Sequence, residues 1–323
     1  MAASRNSLSA DLPERVGIFL AARLMPGERL RVGLSGGCDS VVLLHVLSGL
    51  DLADRLSAIH VHHGLSPNAD AWAAFCSSYC DRLGVTLLTR YVTVDMASGL
   101  GIEAAARKAR YAAFAAGAGD CLVLAQHRGD QAETVLFNLL RGSGVTGAAA
   151  MPAERRCGQL RLMRPLLDVS RAEIESYAVE RGLAWVDDES NADTALTRNY
   201  LRHEAMAAIT QRFPAAESAL AQAAANFAEA SDLLDDLAAL DWQQVEAGGA
   251  ARLSGLRALS LPRLKNLLRY RLRCLEWQVP VATRLDEFAR QLHTAGPDRH
   301  PELVLPNGKM RAARGLLHWL PEK

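Results

Sequence analysis

Short apolar stretches alternate with amphipathic stretches of helical period along the first two thirds of the chain. Strands are predicted at residues 31–34, 56–61, 85–94, 121–125, 160–163 and 184–186, and helices at 10–24, 41–50, 69–83, 101–116, 131–141 and 171–181. This alternation predicts an α/β fold, a doubly wound parallel sheet with helices on both faces. Ligands of such sheets bind at the carboxyl ends of the strands. The segments 35–40, 60–64 and 125–130 are therefore expected to converge there.

The pattern changes at about residue 213. Residues 215–245 are rich in Ala and Leu and predict a long helix, which Gly248-Gly249 ends. Residues 251–275 follow with seven Arg or Lys and no acid, then a helix at 282–293 and a hairpin around Asn307-Gly308. We expect an α/β domain at 1–212, a helical connector at 213–247 and a small α+β substrate-binding domain at 248–323.

The composition restricts the class of protein but does not indicate a function. The 323 residues suffice for two domains, and 50% hydrophobic with 22% charged residues is typical of a globular protein. Because 36 Lys and Arg balance 36 Asp and Glu, net charge gives no argument for a nucleic-acid partner. The six cysteines contain no Cys-x-x-Cys pair, which favours reduced thiols over disulfides or a zinc site. Without a signal or spanning segment, we expect a cytoplasmic protein with no membrane partner.

The strongest chemical signal is the loop Ser35-Gly36-Gly37-Cys38-Asp39-Ser40, set between a strand and a helix. The two glycines allow close approach of a ligand to the backbone, and a helix amino terminus attracts anions. Asp39 could also hold a divalent cation. The loop lacks the Gly-Lys-Ser/Thr ending of a Walker A motif, so a pyrophosphate-sized anion is expected. The alternative is an ordinary turn rich in small residues.

Four further segments each allow a structural and a functional interpretation. The histidines of 60–63 could bind metal or contact a nucleotide, or only pack a turn. On a helix, Glu103, Arg107, Arg110 and Tyr111 share one face, either as a solvated stripe or as a phosphate contact.

Asp130 and Glu133 could cap a helix, hold Mg²⁺ or orient an amine nucleophile. Just beyond them, Arg141 precedes a Gly-rich loop. The acidic turn 187–193, followed by Arg198 and Arg202, could be a self-neutralising surface or a site for RNA phosphates.

The loop at 35–40 resembles the signature of the N-type ATP pyrophosphatases. The later segments and their order resemble the tRNA(Ile)-lysidine synthetase family more specifically. The matching motifs are His-His-Gly-Leu, Gly-Ile-Glu-Ala-x-Ala-Arg-x-x-Arg-Tyr, Ala-Gln-His-x-x-Asp-Gln-x-Glu-Thr, Arg-Gly-Ser-Gly, Arg-Pro-Leu-Leu, Asp-Glu-Ser-Asn and Arg-Asn-x-x-Arg. The resemblance is dense over residues 28–205 and loose from there to Trp319.

The resemblance implies a two-step bacterial reaction on tRNA(Ile) with a CAU anticodon. ATP adenylates the C2 oxygen of the wobble cytidine, and the ε-amine of free lysine then displaces AMP to form lysidine. It implies the following roles: ATP binding by Ser35, Gly36, Gly37, Cys38, Asp39, Ser40 and His62; catalysis by Asp39, Arg107, Asp130 and Glu133; Mg²⁺ at Asp39 and Asp130; and tRNA contact by Arg141, Arg198 and Arg202.

Two features depart from the family pattern. Gly129 stands where an acid or amide is usual, so that function is missing or supplied by another residue. Many relatives also carry a further carboxyl-terminal domain, and the sequence here is expected to include only the first one. We therefore expect tRNA selection to depend more heavily on residues 251–323. The alternatives are a tRNA thiolase of the same fold, against which the absence of paired cysteines counts, and a catalytically weakened RNA-binding relative. A homodimer is left open.

Overall fold

The computed structural model describes residues 11–95, 101–116, 121–157, 160–189, 193–296 and 299–322. Ser190 and Asn191 of the acidic turn and the side chain of Glu103 lie outside the described residues. The chain divides into two compact units, Met1–Asn226 and Phe227–Lys323. The boundary falls within a helix that runs from Ala216 to Val245. The proposed connector at 213–247 stays a prediction.

The first unit is built on a six-stranded sheet. Its strands are β1 (Leu30–Gly33), β2 (Leu56–His62), β3 (Thr86–Tyr91), β4 (Cys121–Val123), β5 (Glu154–Cys157) and β6 (Leu160–Met163). They lie in the order β3-β2-β1-β4-β6-β5, and every neighbouring pair is parallel except β5 and β6. This confirms the predicted parallel α/β fold.

Helices lie on both faces of this sheet. The helices that begin in this unit are α1 (Leu12–Ala21), α2 (Cys38–Ser48), α3 (Ala69–Leu83), α4 (Ile102–Ala115), α5 (Arg128–Leu140), α6 (Val145–Ala148), α7 (Arg171–Glu180), α8 (Thr197–Tyr200), α9 (Met206–Arg212) and α10 (Ala216–Val245), with a π-helical segment at Leu201–Ala205 between α8 and α9.

Successive side chains of a strand point to opposite faces of the sheet, so they pack into two separate cores. Val32 and Ala58 pack with residues of α1, α2, α3 and α7. Ile59 and Leu122 pack on the other face, with Phe114 of α4. The sheet is therefore doubly wound, with the helix that follows the phosphate loop on the first face.

Two predictions for this unit were wrong. Residues 184–186 form no strand, since the N–H of Val186 donates to the carbonyl of Gly36 at 3.0 Å instead of joining the sheet. Helix α5 begins at Arg128, earlier than predicted, because the His127 side chain accepts the N–H of Gly129 and caps the helix. The antiparallel edge strand β5 was not predicted.

The second unit is a small α+β domain. Its strands β7 (Glu246–Ala247), β8 (Ala250–Arg252), β9 (Glu302–Leu305), β10 (Gly308–Ala313) and β11 (Leu316–Pro321) form an antiparallel sheet in the order β7-β8-β11-β10-β9. Helices α11 (Leu253–Ala258), α12 (Leu261–Cys274) and α13 (Ala282–Thr294) accompany it. The hairpin at Asn307-Gly308 is confirmed, and a third strand extends it.

Within the described ranges, no helix has the length and apolar character needed to cross a bilayer.

The basic residues of 251–275 form ion pairs and hydrogen bonds within this unit. Arg263 pairs with the fully buried Asp241, Arg273 with Asp235, and Lys265 with Asp286. Arg257 donates to the carbonyls of Leu292 and Ala295 at the end of α13. Each of these cations therefore has a partner within its own unit, which favours the structural interpretation of the run over a free phosphate-binding stripe.

The ion pairs between α10 and α12 give a test of the second unit. Asp241 is fully buried, whereas the Asp235 side chain is 38% exposed. We expect Asp241→Asn to lower the free energy of unfolding by about 2 kcal/mol, because a buried carboxylate that pairs with arginine is lost. Asp235→Asn is the matched control on the same two helices and should cost less than about 1 kcal/mol. Urea unfolding followed by tryptophan fluorescence measures both, and equal losses would contradict the burial argument.

Candidate active site

The loop between β1 and α2 is held by its own serines. Ser35 N–H donates to Ser40 Oγ at 3.2 Å, the Ser40 hydroxyl donates to the carbonyl of Gly37 at 2.9 Å, and Gly37 N–H donates to Ser35 Oγ at 3.3 Å. Gly37 is also the amino-terminal cap of α2. The loop is thus preformed with a helix amino terminus at its end, the arrangement that binds phosphate oxygens.

Gly36 is the position in this loop where only glycine fits. Its φ is +92°, and a Cβ there would lie 2.7 Å from Cγ2 of Val186 and 3.3 Å from Sγ of Cys76. Cys38, in the same loop, is buried, and burial raises the pKa of its thiol to about 11. The Cys38 thiol is therefore protonated, which excludes a thiolate role for this residue at neutral pH.

The histidines at the carboxyl end of β2 have separate surroundings. Nδ1 of the buried His60 lies 2.9 Å from the carbonyl oxygen of Leu34, which ties β2 to the start of the phosphate loop. Nε2 of His62 lies 2.9 Å from Oδ1 of Asp70, and the rings of His62 and Tyr91 are 4.8 Å apart. No group of three or more metal-binding side chains occurs in the described part of the chain.

Asp39 lies in the first turn of α2 and faces two basic side chains. Its Oδ2 accepts a hydrogen bond from Arg171 Nη1 at 3.2 Å and lies 3.9 Å from Nε2 of His127. Its Oδ1 is buried and has no hydrogen-bond partner among the described residues. Burial raises the pKa of the Asp39 carboxyl above its ordinary value, and His127 and Arg171 oppose that rise. Arg171 could not be found from the sequence, because only the fold brings α7 to this carboxylate.

Asp130 and Glu133 lie at the start of α5 and share one guanidinium. Arg202 Nε donates to Glu133 Oε1 at 2.6 Å, and its Nη2 donates to Asp130 Oδ1 at 2.9 Å and Glu133 Oε2 at 3.1 Å. Arg202 belongs to the π-helical segment, a form often found at functional sites. Burial raises the pKa of Glu133, while Arg202 opposes the rise. Arg202 thus lies within the carboxylate cluster, and its predicted contact with tRNA stays a prediction.

His127 joins the phosphate loop to this cluster. Its Nε2 lies 3.9 Å from Asp39 Oδ2 and 3.7 Å from Asp130 Oδ2. Its backbone N–H donates to Asp130 Oδ2 at 3.0 Å, which completes the cap of α5. The predicted convergence of the loops after β1 and β4 is therefore confirmed.

Gly129 lies beside an acid that the sequence did not identify. A Cβ at 129 would lie 3.7 Å from Oε2 of Glu217 and only 2.8 Å from Cε1 of His127. Oε1 of Glu217 accepts from Arg128 Nε at 2.8 Å. Glu217 comes from the first turn of α10, within the predicted connector, and no local motif marks it. Glu217 therefore places an acid beside Gly129. A side chain on residue 129 itself would clash with His127 and disturb the cap of α5.

Part of this cluster lines a cavity of about 590 Å³, whereas Asp39, Asp130 and the loop at 35–40 are not in its lining. Its lining carries both signs of charge and an apolar wall, formed by His127, Gly129, Glu133, Arg171, Asp187, Asp188, Arg202, His203, Met206, Ala207, Thr210 and Glu217. The set suits a ligand that has both ammonium and carboxylate or phosphate groups.

Three predicted arginines lie elsewhere. Arg107 on α4 contacts Tyr111, and Arg141 at the end of α5 lies over the ring of Phe137, 5.0 Å from its centroid. Arg198 lies half-buried in α8. None of these three residues lines the cavity.

Comparisons with known proteins agree with this architecture. Residues 12–209 match the family described as the PP-loop domain, and residues 252–318 match the TilS substrate binding domain. The tRNA(Ile)-lysidine synthase of Nitrosomonas europaea is 41% identical over 326 residues, which cover 99% of this chain and 71% of that protein. The tRNA(Ile)-lysidine synthase of Pseudomonas syringae pv. tomato is 46% identical over 325 residues, 96% of this chain and 72% of that protein.

A solved structure is also similar. A U34-tRNA thiolase from Methanococcus maripaludis, solved with its 4Fe-4S cluster, aligns with a TM-score of 0.52 and 16% identity, over 67% of this chain and 77% of that one. At this identity the likeness shows the fold alone.

The preformed loop between β1 and α2, at the carboxyl end of an inner strand of a mostly parallel sheet, and the family match together define a PP-loop ATP-binding domain. This class alone leaves several kinds of enzyme open. The identity that extends through the second unit narrows the choice, and the chain belongs to the tRNA(Ile)-lysidine synthase family.

Removal of Arg202 leaves the carboxylate of Glu133 buried without a counter-charge. We expect Arg202→Met to lower the free energy of unfolding by about 2 kcal/mol near neutral pH, less than for a fully buried pair because the Arg202 side chain is 35% exposed. Burial already raises the pKa of Glu133, and without Arg202 that pKa rises further. A raised carboxyl pKa means that stability falls as pH rises from the ordinary value of 4.5 through the folded value.

The deficit of Arg202→Met should therefore shrink on acidification. Urea unfolding of the variant and the wild type between about pH 5 and pH 8 measures it. The double variant Arg202→Met/Glu133→Gln is the control, since it removes both charges and should recover part of the loss at neutral pH. A deficit that is the same at every pH would exclude the ionised Glu133 as its cause.

Proposed function

We propose that this chain joins lysine to C2 of the wobble cytidine of tRNA(Ile) with a CAU anticodon, and consumes ATP. The observation that carries the proposal is the contact of His127 with both Asp39 and Asp130, which puts the phosphate loop beside a carboxylate cluster. ATP adenylates the oxygen on C2 and the amine attacks C2 itself, so the two binding regions must adjoin.

In the first step, the C2 oxygen of the cytidine attacks the α-phosphorus of ATP, and pyrophosphate leaves. The loop at 35–40 and the amino terminus of α2 supply backbone N–H groups for phosphate oxygens. Arg171, which reaches Asp39, adds positive charge at the same place. His62, paired with Asp70, is the last residue of the neighbouring strand β2, at the carboxyl end where we expect the nucleotide.

Mg²⁺ fits the residues present. Asp39 has a buried oxygen without a partner among the described residues, and burial raises its pKa, so a nearby cation would stabilise the ionised form. Asp39 and Asp130 would hold the ion, which supplies positive charge at the phosphates when bound. One or two carboxylates with phosphate oxygens and water are the usual ligands of Mg²⁺.

In the second step, the ε-amine of lysine attacks C2 and AMP leaves with the former C2 oxygen. Lysine arrives as an ammonium ion, so it needs carboxylates to bind it and a base to take its proton. Asp130, Glu133 and Glu217 supply the carboxylates, and the raised pKa of Glu133 suits a proton acceptor. Arg202 already lies between Asp130 and Glu133 and offsets part of their charge, which leaves Glu217 and the other oxygens of this cluster for the amine.

We infer that Arg141 and Arg198 contact the tRNA, together with the second unit. Because the basic run of α12 is paired internally, we do not assign phosphate contacts to it as a whole. Cytoplasmic location and a homodimer stay predictions.

Neither alternative function has a specific observation in its favour. Burial raises the pKa of Cys76 to about 12 and of Cys80 to about 11, so these thiols do not suit the sulfur transfer of a thiolase. The intact loop and the acid beside Gly129 count against a weakened binder.

The central test is incubation of the chain with unmodified tRNA(Ile) bearing CAU, Mg-ATP and labelled lysine. We expect label in the tRNA, with one AMP released for each lysine joined. Methionine tRNA, which has the same anticodon triplet, is the control and should remain unlabelled. No incorporation by a folded chain that binds tRNA would contradict the proposal and favour the weakened binder.

Glu217 gives a second test, of the amine site. Glu217→Gln removes a negative charge that the cavity presents beside Gly129, so the KM for lysine should rise about fivefold while the KM for ATP stays unchanged. Steady-state lysine incorporation measures both constants. Glu229→Gln, at an exposed position of the same helix, is the matched control and should leave both constants as in the wild type. An equal change in the two KM values would exclude a specific contact with the amine.

A further inference from the structure

Arg271 on α12 differs from the other cations of residues 251–275. The remaining six contact backbone carbonyls or aspartates: Arg252, Arg257, Arg263, Lys265, Arg269 and Arg273. Arg271 forms no hydrogen bond or ion pair with an oxygen of a described residue, and its Nε is buried without a partner. A guanidinium group carries five N–H donors, and burial of an unpaired donor costs free energy. Among the described residues, this arginine therefore lacks an acceptor.

Two tryptophan rings hold the guanidinium of Arg271. Its Cζ lies 3.7 Å from the ring centroid of Trp242 on α10 and 5.8 Å from that of Trp319 on β11. The two rings are 5.6 Å apart and inclined by 80°. The electrons of the rings stabilise the charge, but an indole offers no acceptor for the N–H groups. The tryptophans therefore fix the group without pairing its donors.

The cluster of Trp242, Arg271 and Trp319 contains a second unpaired donor. Trp319 Nε1 is buried and has no hydrogen-bond partner among the described residues. Arg271 Nε and Trp319 Nε1 are both donors, so neither can satisfy the other. Buried polar groups in native proteins are almost always paired, with protein or with ordered water. The cluster therefore has the capacity for an acceptor, and its positive charge favours an anion.

The cluster lies at the rim of the core of the second unit, where an anion can reach it. All three residues are only partly buried, and both tryptophans pack against the core that contains the buried leucines of α12. Of the three guanidinium nitrogens only Nε is shielded from solvent, so the two terminal nitrogens remain accessible. They form the fork that matches two oxygens of an oxyanion. Because the rings already hold the side chain, little conformational entropy is lost when an oxyanion binds.

We propose that Arg271 binds a phosphodiester of the tRNA, and that Trp242 and Trp319 are the positioning residues that hold its guanidinium. The choice of RNA as the source of the oxyanion rests on the proposed function. The other six cations of residues 251–275 then serve the fold of the unit, and Arg271 is the contact of this run with RNA.

The test measures binding of the full chain to a transcript of tRNA(Ile) with the CAU anticodon, and needs no lysine transfer. Fluorescence anisotropy of the labelled tRNA gives the Kd at several salt concentrations for the wild type and for Arg271→Gln. Arg273→Gln is the matched control. It removes the same charge two residues further along α12, where the arginine is paired with Asp235.

We expect Arg271→Gln to raise the Kd about fivefold, the effect of losing one charge-assisted contact. The slope of log Kd against log salt should fall by about 0.9, because one phosphate contact no longer releases a counterion. Arg273→Gln should stay within about twofold of the wild type and keep its slope. A Kd of Arg271→Gln like that of the wild type, an equal loss in the control, or a loss without a change of slope would each overturn the phosphate contact.

The positioning role has a test of its own. Trp242→Leu keeps the charge of Arg271 but removes the ring on which it stacks, so the Kd should rise about threefold while most of the salt slope stays. Trp277→Leu is the control, at a partly buried tryptophan of the same core that stacks on no arginine in the described structure. Equal losses in the two variants would indicate a general loosening of the core and exclude a positioning role. If Trp242→Leu does not fold, Arg271→Gln still decides the contact.

The proposed function and the phosphate contact can fail separately. A wild-type chain that binds this tRNA yet joins no lysine to it would refute the proposed function. The comparison of Arg271→Gln with Arg273→Gln would still decide the phosphate contact, because it needs only binding.

Discussion

The arrangement of the candidate active site depends on one shared guanidinium. Arg202 crosses from the π-helical segment to the start of α5 and bonds to both Asp130 and Glu133. Without this cation, two carboxylates would lie side by side in a poorly solvated place, and like charges there repel strongly. The same contact fixes the segment before α9 against α5 and so shapes the wall of the cavity. The cation between the carboxylates therefore stabilises the fold, and it offsets part of the negative charge of the cluster.

Most of the first unit follows from local pattern. Buried strands alternate with helices, and Ser35 to Ser40 between a strand and a helix predicted the phosphate loop. Local pattern failed where a tertiary contact decided the outcome. Val186 has the apolar character of a strand residue, but its N–H bonds to Gly36, so the segment supports the loop instead of the sheet. The early start of α5 depends on a histidine cap, and histidine is not among the usual capping residues.

In the candidate site too, local motifs predict some residues and tertiary contacts decide others. Asp39, Asp130 and Glu133 stand in recognisable motifs, so the sequence predicts them as a set. Arg171 and Glu217 reach the site from distant elements whose local sequences look like ordinary helix starts, and only the folded chain brings them together. Arg202, Asp130 and Glu133 were each identified from their motifs, but the pairing of Arg202 with the two carboxylates was not. The sequence thus indicates which residues are unusual, while the fold decides which charges meet.

The second unit illustrates how misleading a count of basic residues is. Its run of arginines and lysines looks like a phosphate-binding stripe, yet Arg263, Lys265 and Arg273 are neutralised by aspartates of the same unit. Cations that are already paired displace few condensed counterions when an RNA approaches. Association through α12 would therefore respond only weakly to ionic strength, and recognition by this helix would depend on shape more than on charge.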